Sequence, residues 1–85
     1  MPLINRTNRK EVYKVIDEER DYQDDKWGDE LDDAQWAIND WIVFIERYIQ
    51  EAKNNTGQAE ALDSVRKIAA LAVACMEYNG ALRRE

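Results

Sequence analysis

Apolar residues recur at helical spacing over three stretches of this chain, and nowhere alternate as a half-buried strand requires. The first stripe is thin: Val12, Val15, Ile16, Tyr22 and Trp27, interrupted at Glu19 and Gln23, where a helix with only a packing role would prefer Leu. Asn8 suits its N-cap, with Glu11 three residues on completing a capping box. Gly28 suits its C′ position. Asp29 to Asp33 then reads as an acidic turn, with Asp32 or Asp33 capping the next helix. The loop Asn54-Asn55-Thr56-Gly57 separates the second helix from a third, which Asn79-Gly80 closes. The spacing therefore predicts helices over about 8–27, 34–53 and 58–78, with an extended lead-in before the first and a frayed basic tail after the last.

The second helix is the densest. Trp41, Ile42, Val43, Phe44 and Ile45 are consecutive, and at ~100° per residue they point almost all the way round the axis. Two neighbours from one short chain can cover about half of such a helix. The rest predicts an oligomer surface on the outer face of Trp41–Ile49. The third helix supplies the complement, since Ala69-Ala70-Leu71-Ala72-Val73-Ala74-Cys75 is nearly all small and fits against Trp36, Trp41, Phe44 and Tyr48. The expected fold is all-α: one domain, a three-helix antiparallel bundle assembling as a homo-oligomer, most simply a dimer.

Composition narrows the function. At 85 residues the chain buries a modest share of its surface, and self-association is a usual remedy. One cysteine, Cys75, and no histidine exclude an intrachain disulfide and disfavour structural zinc. Cys75 itself reads as a small core residue. The net charge is −6, and ten acids fall between Asp17 and Asp33, which argues against general DNA or RNA binding. No apolar h-region opens the chain and no apolar run is long enough for a bilayer, so the expected setting is the cytoplasm, with no membrane partner.

The most specific local pattern is Glu19-Arg20-x-x-Gln23-x-x-Lys26-Trp27-Gly28, followed by Trp36 and then by Lys67-Ile68-Ala69-Ala70-Leu71-Ala72. From about Val15 to Glu77 the chain resembles the small MazG-like proteins of bacteriophages and prophages. That resemblance implies an all-α nucleoside triphosphate pyrophosphohydrolase ancestry, an oligomer, and a host-cell cytoplasmic setting. It also implies Mg²⁺ held by two acidic motifs on neighbouring helices, Glu-Glu-x-x-Glu and Glu-x-x-Asp. Hard oxygen ligands are what Mg²⁺ requires, and the ions position a water for attack on phosphate.

The sequence departs from those motifs. Aligned on Ala52, the first motif falls on Arg47, Tyr48 and Glu51, so two acids are missing. Glu46 and Glu51 stand about 140° apart round a helix and converge poorly. A literal second motif exists in Glu60 and Asp63, whereas alignment on the Ala-rich run puts Ser64 and Lys67 there. Glu60 and Asp63 also suit the plain role of first-turn acids at the positive end of a helix dipole. Trp27, Trp36 and Trp41 suit core or interface anchors better than base-stacking platforms.

The leading expectation is a MazG-like protein without full catalysis, holding a nucleotide, with Arg20, Lys26, Trp27, Arg47, Arg66 and Lys67 as ligand-binding residues. Basic side chains would there replace Mg²⁺ against phosphate. Two alternatives accompany it. One is an active Mg²⁺-dependent pyrophosphohydrolase using Glu46, Glu51, Glu60 and Asp63. The other is an acidic helical module for a basic protein partner.

Overall fold

The computed structural model describes residues 6–54 and 57–85, so part of the expected Asn54–Gly57 loop and most of the lead-in lie outside the described residues. Three helices form: α1 over Arg9–Ala34, α2 over Ile38–Asn54 and α3 over Gln58–Asn79. No strand occurs among the described residues.

Asn8 caps α1 as its sequence position predicts, accepting a hydrogen bond from the Lys10 backbone N–H at 2.8 Å. The other end of α1 differs from expectation. Gly28 does not stop the helix, and Asp29–Asp33 is not a turn: α1 runs on to Ala34 and ends at Gln35, whose φ of 52° and ψ of 47° are left-handed. A glycine inside a helix costs roughly 0.5–1 kcal/mol relative to alanine. The extra turns bury Leu31 to 7 % exposure against Trp41, Leu71 and Ala74. Burial of a leucine contributes roughly 1.5–3 kcal/mol, so packing outweighs the local preference.

Asp32 and Asp33 consequently cap nothing, being part of α1. The start of α2 is held instead by Asp40, whose Oδ2 accepts from the Ala37 backbone N–H at 2.9 Å. This is the reaching-back half of a capping box, with Ala37 in the cap position. At the far end of the chain Gly80, at φ 103°, donates its N–H to the Met76 carbonyl at 2.8 Å and closes α3 as expected.

Contacts fix the topology. Glu19 meets Arg66, and further along both helices Asp32 meets Tyr78, so α1 and α3 run parallel. Trp41 stacks near Tyr78 while Glu51 lies beside Glu60, so α2 runs antiparallel to α3. Backbone approach is confined to the α2–α3 and α1–α3 pairs. α1 and α2 meet through side chains, as where Trp27 touches Phe44 edge-on. The organising helix is therefore the small-residue α3, which two larger-faced helices flank, and not the apolar α2.

The predicted match of large against small holds. Trp41, 1 % exposed, shares a core with Leu71 and Ala74, both at 0 %, and Trp27, Trp36, Phe44, Ile45, Tyr48 and Cys75 pack round it. Ile42 and Val43 remain exposed on the outer side of α2. No described helix is long and apolar enough to cross a membrane.

Candidate functional site

The residues singled out by sequence separate into two places. Arg20, Arg66 and Lys67 lie where α1 meets α3, and carboxylates engage all three. Arg20, 6 % exposed, donates from Nε to Glu77 Oε1 at 2.6 Å and from Nη2 to Asp24 Oδ1 at 3.4 Å. Its Nη1 is buried without a hydrogen-bond partner. Arg66 donates from Nε to Glu19 Oε1 at 2.8 Å and pairs through Nη2 with Asp63. Lys67 Nζ stands 3.3 Å from Asp63 Oδ2. Partial burial works to raise the Asp63 pKa, but the hydrogen bonds and charges of Lys67 and Arg66 outweigh it and hold this carboxyl below its ordinary value. The Arg66 guanidinium is pushed the other way: desolvation is overcome by its bonds to Glu19 and Asp63.

Gln23, the other interruption in the α1 stripe, is also here. It is 2 % exposed and donates from Nε2 to the Lys67 carbonyl at 3.3 Å, while its Oε1 finds no partner. Glu19 and Gln23 thus stand on the stripe as polar links to α3.

The expected acidic set is only partly gathered. Glu51, Glu60 and Asp63 line a cleft of about 360 Å³ between the end of α2 and the start of α3, together with Ala59 and Ser64. Glu46 does not line it. Glu60 is the third residue of α3 and folds back over Gly57, so that a Cβ there would overlap its carboxylate. That is the posture of a first-turn acid at the helix dipole. Asp63 is committed to Arg66 and Lys67. Among the described residues, no three acid or cysteine side chains are grouped as a metal site requires.

The second place is an aromatic trough at the junction of α1, the 35–37 linker and α2. Trp27, Trp36 and Phe44 form its floor. Trp27 and Trp36 each meet Phe44 edge-to-face, with centroids 6.3 and 5.2 Å apart. Two hollows share Trp36 and Phe44, and Trp27 lines the first of them. One, of about 340 Å³, adds Glu30, Leu31 and Ala34; the other, of about 290 Å³, adds Asp40, Val43 and Arg47. At one end Lys26 holds its ammonium 5.3 Å from the Trp27 ring centroid and 5.7 Å from that of Tyr22. At the other end Arg47 is exposed and enters none of the ion pairs made among the described residues. Trp27, Lys26 and Arg47 are legible as ligand contacts in the sequence, whereas Trp36 and Phe44 read there foremost as packing residues. Their half-buried state depends on α1 extending past Gly28, which no local pattern announced.

Behind the trough, the Tyr78 hydroxyl donates to Asp32 Oδ1 at 2.5 Å. That bond, with desolvation and the Asp32 charge, pushes the Tyr78 pKa up to about 12.

The fold defines an all-α three-helix protein with a central α3. No protein-family model, curated protein or solved structure matches the chain.

Proposed function

We propose that this chain is a nucleotide-binding protein that acts without full hydrolytic machinery, a MazG-like relative of phage or prophage type that works as a homo-oligomer and sequesters its ligand. One observation carries the reading. Among the six expected ligand contacts, Arg20, Arg66 and Lys67 are spent on carboxylates, whereas Trp27 lines an aromatic trough, Arg47 borders it, and neither Arg47 nor Lys26, which lies over the Trp27 ring, enters an ion pair among the described residues. Every nucleobase has a π-face that stacks on an aromatic side chain, a contact worth roughly 1–3 kcal/mol per base. A phosphate then needs a cation within reach, and charge-assisted bonds from Arg47 and Lys26 supply it. The neighbouring Glu30 and Asp40 suit the donors of a base edge or a ribose.

Thermal-shift screening and tryptophan fluorescence against mono-, di-, tri- and cyclic nucleotides test this. At least one class should raise the melting temperature and quench fluorescence. Trp27→Ala should weaken that binding about tenfold or more on the stacking magnitude above, and Arg47→Glu should weaken it too, because a carboxylate there repels the phosphate that the guanidinium would bond. Lys67→Ala should leave it unchanged. Silence across the panel removes the proposal.

A second reading has its own support in the shared cleft of Glu51, Glu60 and Asp63. It requires Mg²⁺-dependent release of pyrophosphate from a nucleoside triphosphate, abolished by Glu51→Gln. Full turnover by that variant ends it.

A further inference from the structure

The two hollows of the aromatic trough differ in polarity. The first is walled by Trp27, Leu31, Ala34, Trp36 and Phe44, and among the described residues its one charged side chain is Glu30. The second carries Asp40 and Arg47. At about 340 and 290 Å³ each lies at the small end of the range for ligand sites, roughly 300–1,000 Å³. The apolar hollow suits a base, and the polar one beside it suits the sugar and phosphate.

We infer that the base held in the first hollow is guanine and that Glu30 selects it. This deepens the nucleotide reading above and rests on it.

Glu30 enters no ion pair and no side-chain hydrogen bond among the described residues. Lys26 stands one turn before it, at a spacing that permits a pair, but holds its ammonium over the Tyr22 and Trp27 rings instead. The Glu30 carboxylate is therefore open to a ligand. It follows Trp27 by three residues, about 4.5 Å along the axis. Helical side chains lean back towards the N-terminus, so its reach is over the turn that carries Trp27, where a stacked base would lie.

An ionised carboxylate only accepts, through two oxygens side by side. Its full match is an edge with two adjacent N–H donors, met as a bidentate pair. Guanine has such an edge, with N1–H next to the N2 amino group. Adenine sets its N6 amino group beside the N1 acceptor, and cytosine sets its N4 amino group beside the N3 acceptor. Uracil flanks N3–H with two carbonyls. Each of these three turns a lone pair on the carboxylate, a repulsion that separates them from guanine. The second hollow takes the rest of the ligand. Asp40 gives Oδ2 to the Ala37 N–H and keeps Oδ1 for a ribose hydroxyl, while Arg47 meets phosphate. A quaternary ammonium, the other ligand that aromatic walls attract, is disfavoured. Lys26 already lies 5.3 Å from the Trp27 centroid, and Arg47 borders the floor.

Tryptophan fluorescence titrations of the full chain test this with guanosine, adenosine, cytidine, uridine and inosine nucleotides, each as mono-, tri- and cyclic phosphates. Guanosine nucleotides should bind about tenfold or more tighter than those of adenosine, cytidine and uridine, the discrimination that one good bidentate pair gives. Inosine nucleotides keep N1–H but lack the amino group, and should fall between. Glu30→Gln exchanges one acceptor for a donor and should move the preference to adenine, whose donor–acceptor edge a carboxamide matches. Glu30 is exposed, so circular dichroism should show the helices of this variant intact. Silence with every nucleotide overturns the nucleotide reading and this inference together. Binding by the wild type without a preference for guanine overturns this inference alone. A guanine preference that Glu30→Gln leaves unchanged overturns the role of Glu30.

Discussion

Replacing Gln23 by leucine should make the protein more stable, although it removes a hydrogen bond between α1 and α3. Gln23 is 2 % exposed, yet only half of its amide is used. Its Nε2 reaches the Lys67 carbonyl at 3.3 Å, the long end of the hydrogen-bond range, so the bond contributes about 0.5–1 kcal/mol. Its Oε1 has no partner, and an orphaned buried acceptor costs about 1–3 kcal/mol. Leucine removes both terms at similar volume and leaves the Lys67 carbonyl with its own bond inside α3. The balance is a gain of about 1 kcal/mol. For a domain of this size that corresponds to a rise in melting temperature of about 4–8 °C. The assay is thermal unfolding followed by circular dichroism, at one fixed protein concentration because association itself raises apparent stability. A melting temperature lowered by several degrees refutes the reasoning: Oε1 would then be satisfied by a group outside the protomer, and Gln23 would be a link worth keeping.

Gly28→Ala should also stabilise, by about 0.5–1 kcal/mol, since Gly28 sits in the interior of α1 and alanine loses less freedom there. The new Cβ would stand 3.1 Å from Asp24 Oδ1, the far end of an exposed side chain tied only by its long 3.4 Å bond from Arg20 Nη2; a drop in melting temperature would show that this bond holds Asp24 in place. Tyr78 gives a pH signature. Its folded pKa is raised from 10.0 to about 12, so the stability it contributes is complete below about pH 10 and is lost as the pH rises towards 12. The absorbance titration of wild type minus that of Tyr78→Phe should show one tyrosine ionising near pH 12, and a midpoint near 10 would dispose of the bond to Asp32.

The number of helices, the Asn8 cap, the Gly80 stop and the match of tryptophan to alanine were legible in the sequence, because each depends on residues near in the chain or on gross size. The end of α1 was not. Gly28 is a local stop signal, and the turns beyond it are held by Leu31 inside a core that forms only when α2 and α3 arrive. The same cause hid the site. Whether a basic residue is free or spent depends on which carboxylate a neighbouring helix brings to it: Arg66 finds Glu19, forty-seven positions away, while Arg47 finds none among the described residues. Periodicity marks which side of a helix is apolar, but only the packing of all three decides which apolar side remains uncovered. Trp41 carried the strongest signal of surplus apolar surface and lies almost wholly buried. Ile42, Val43 and Ile49 on the outer face of the same helix stay exposed, because α3, whose small side chains let it sit close, covers only the side that carries Trp41.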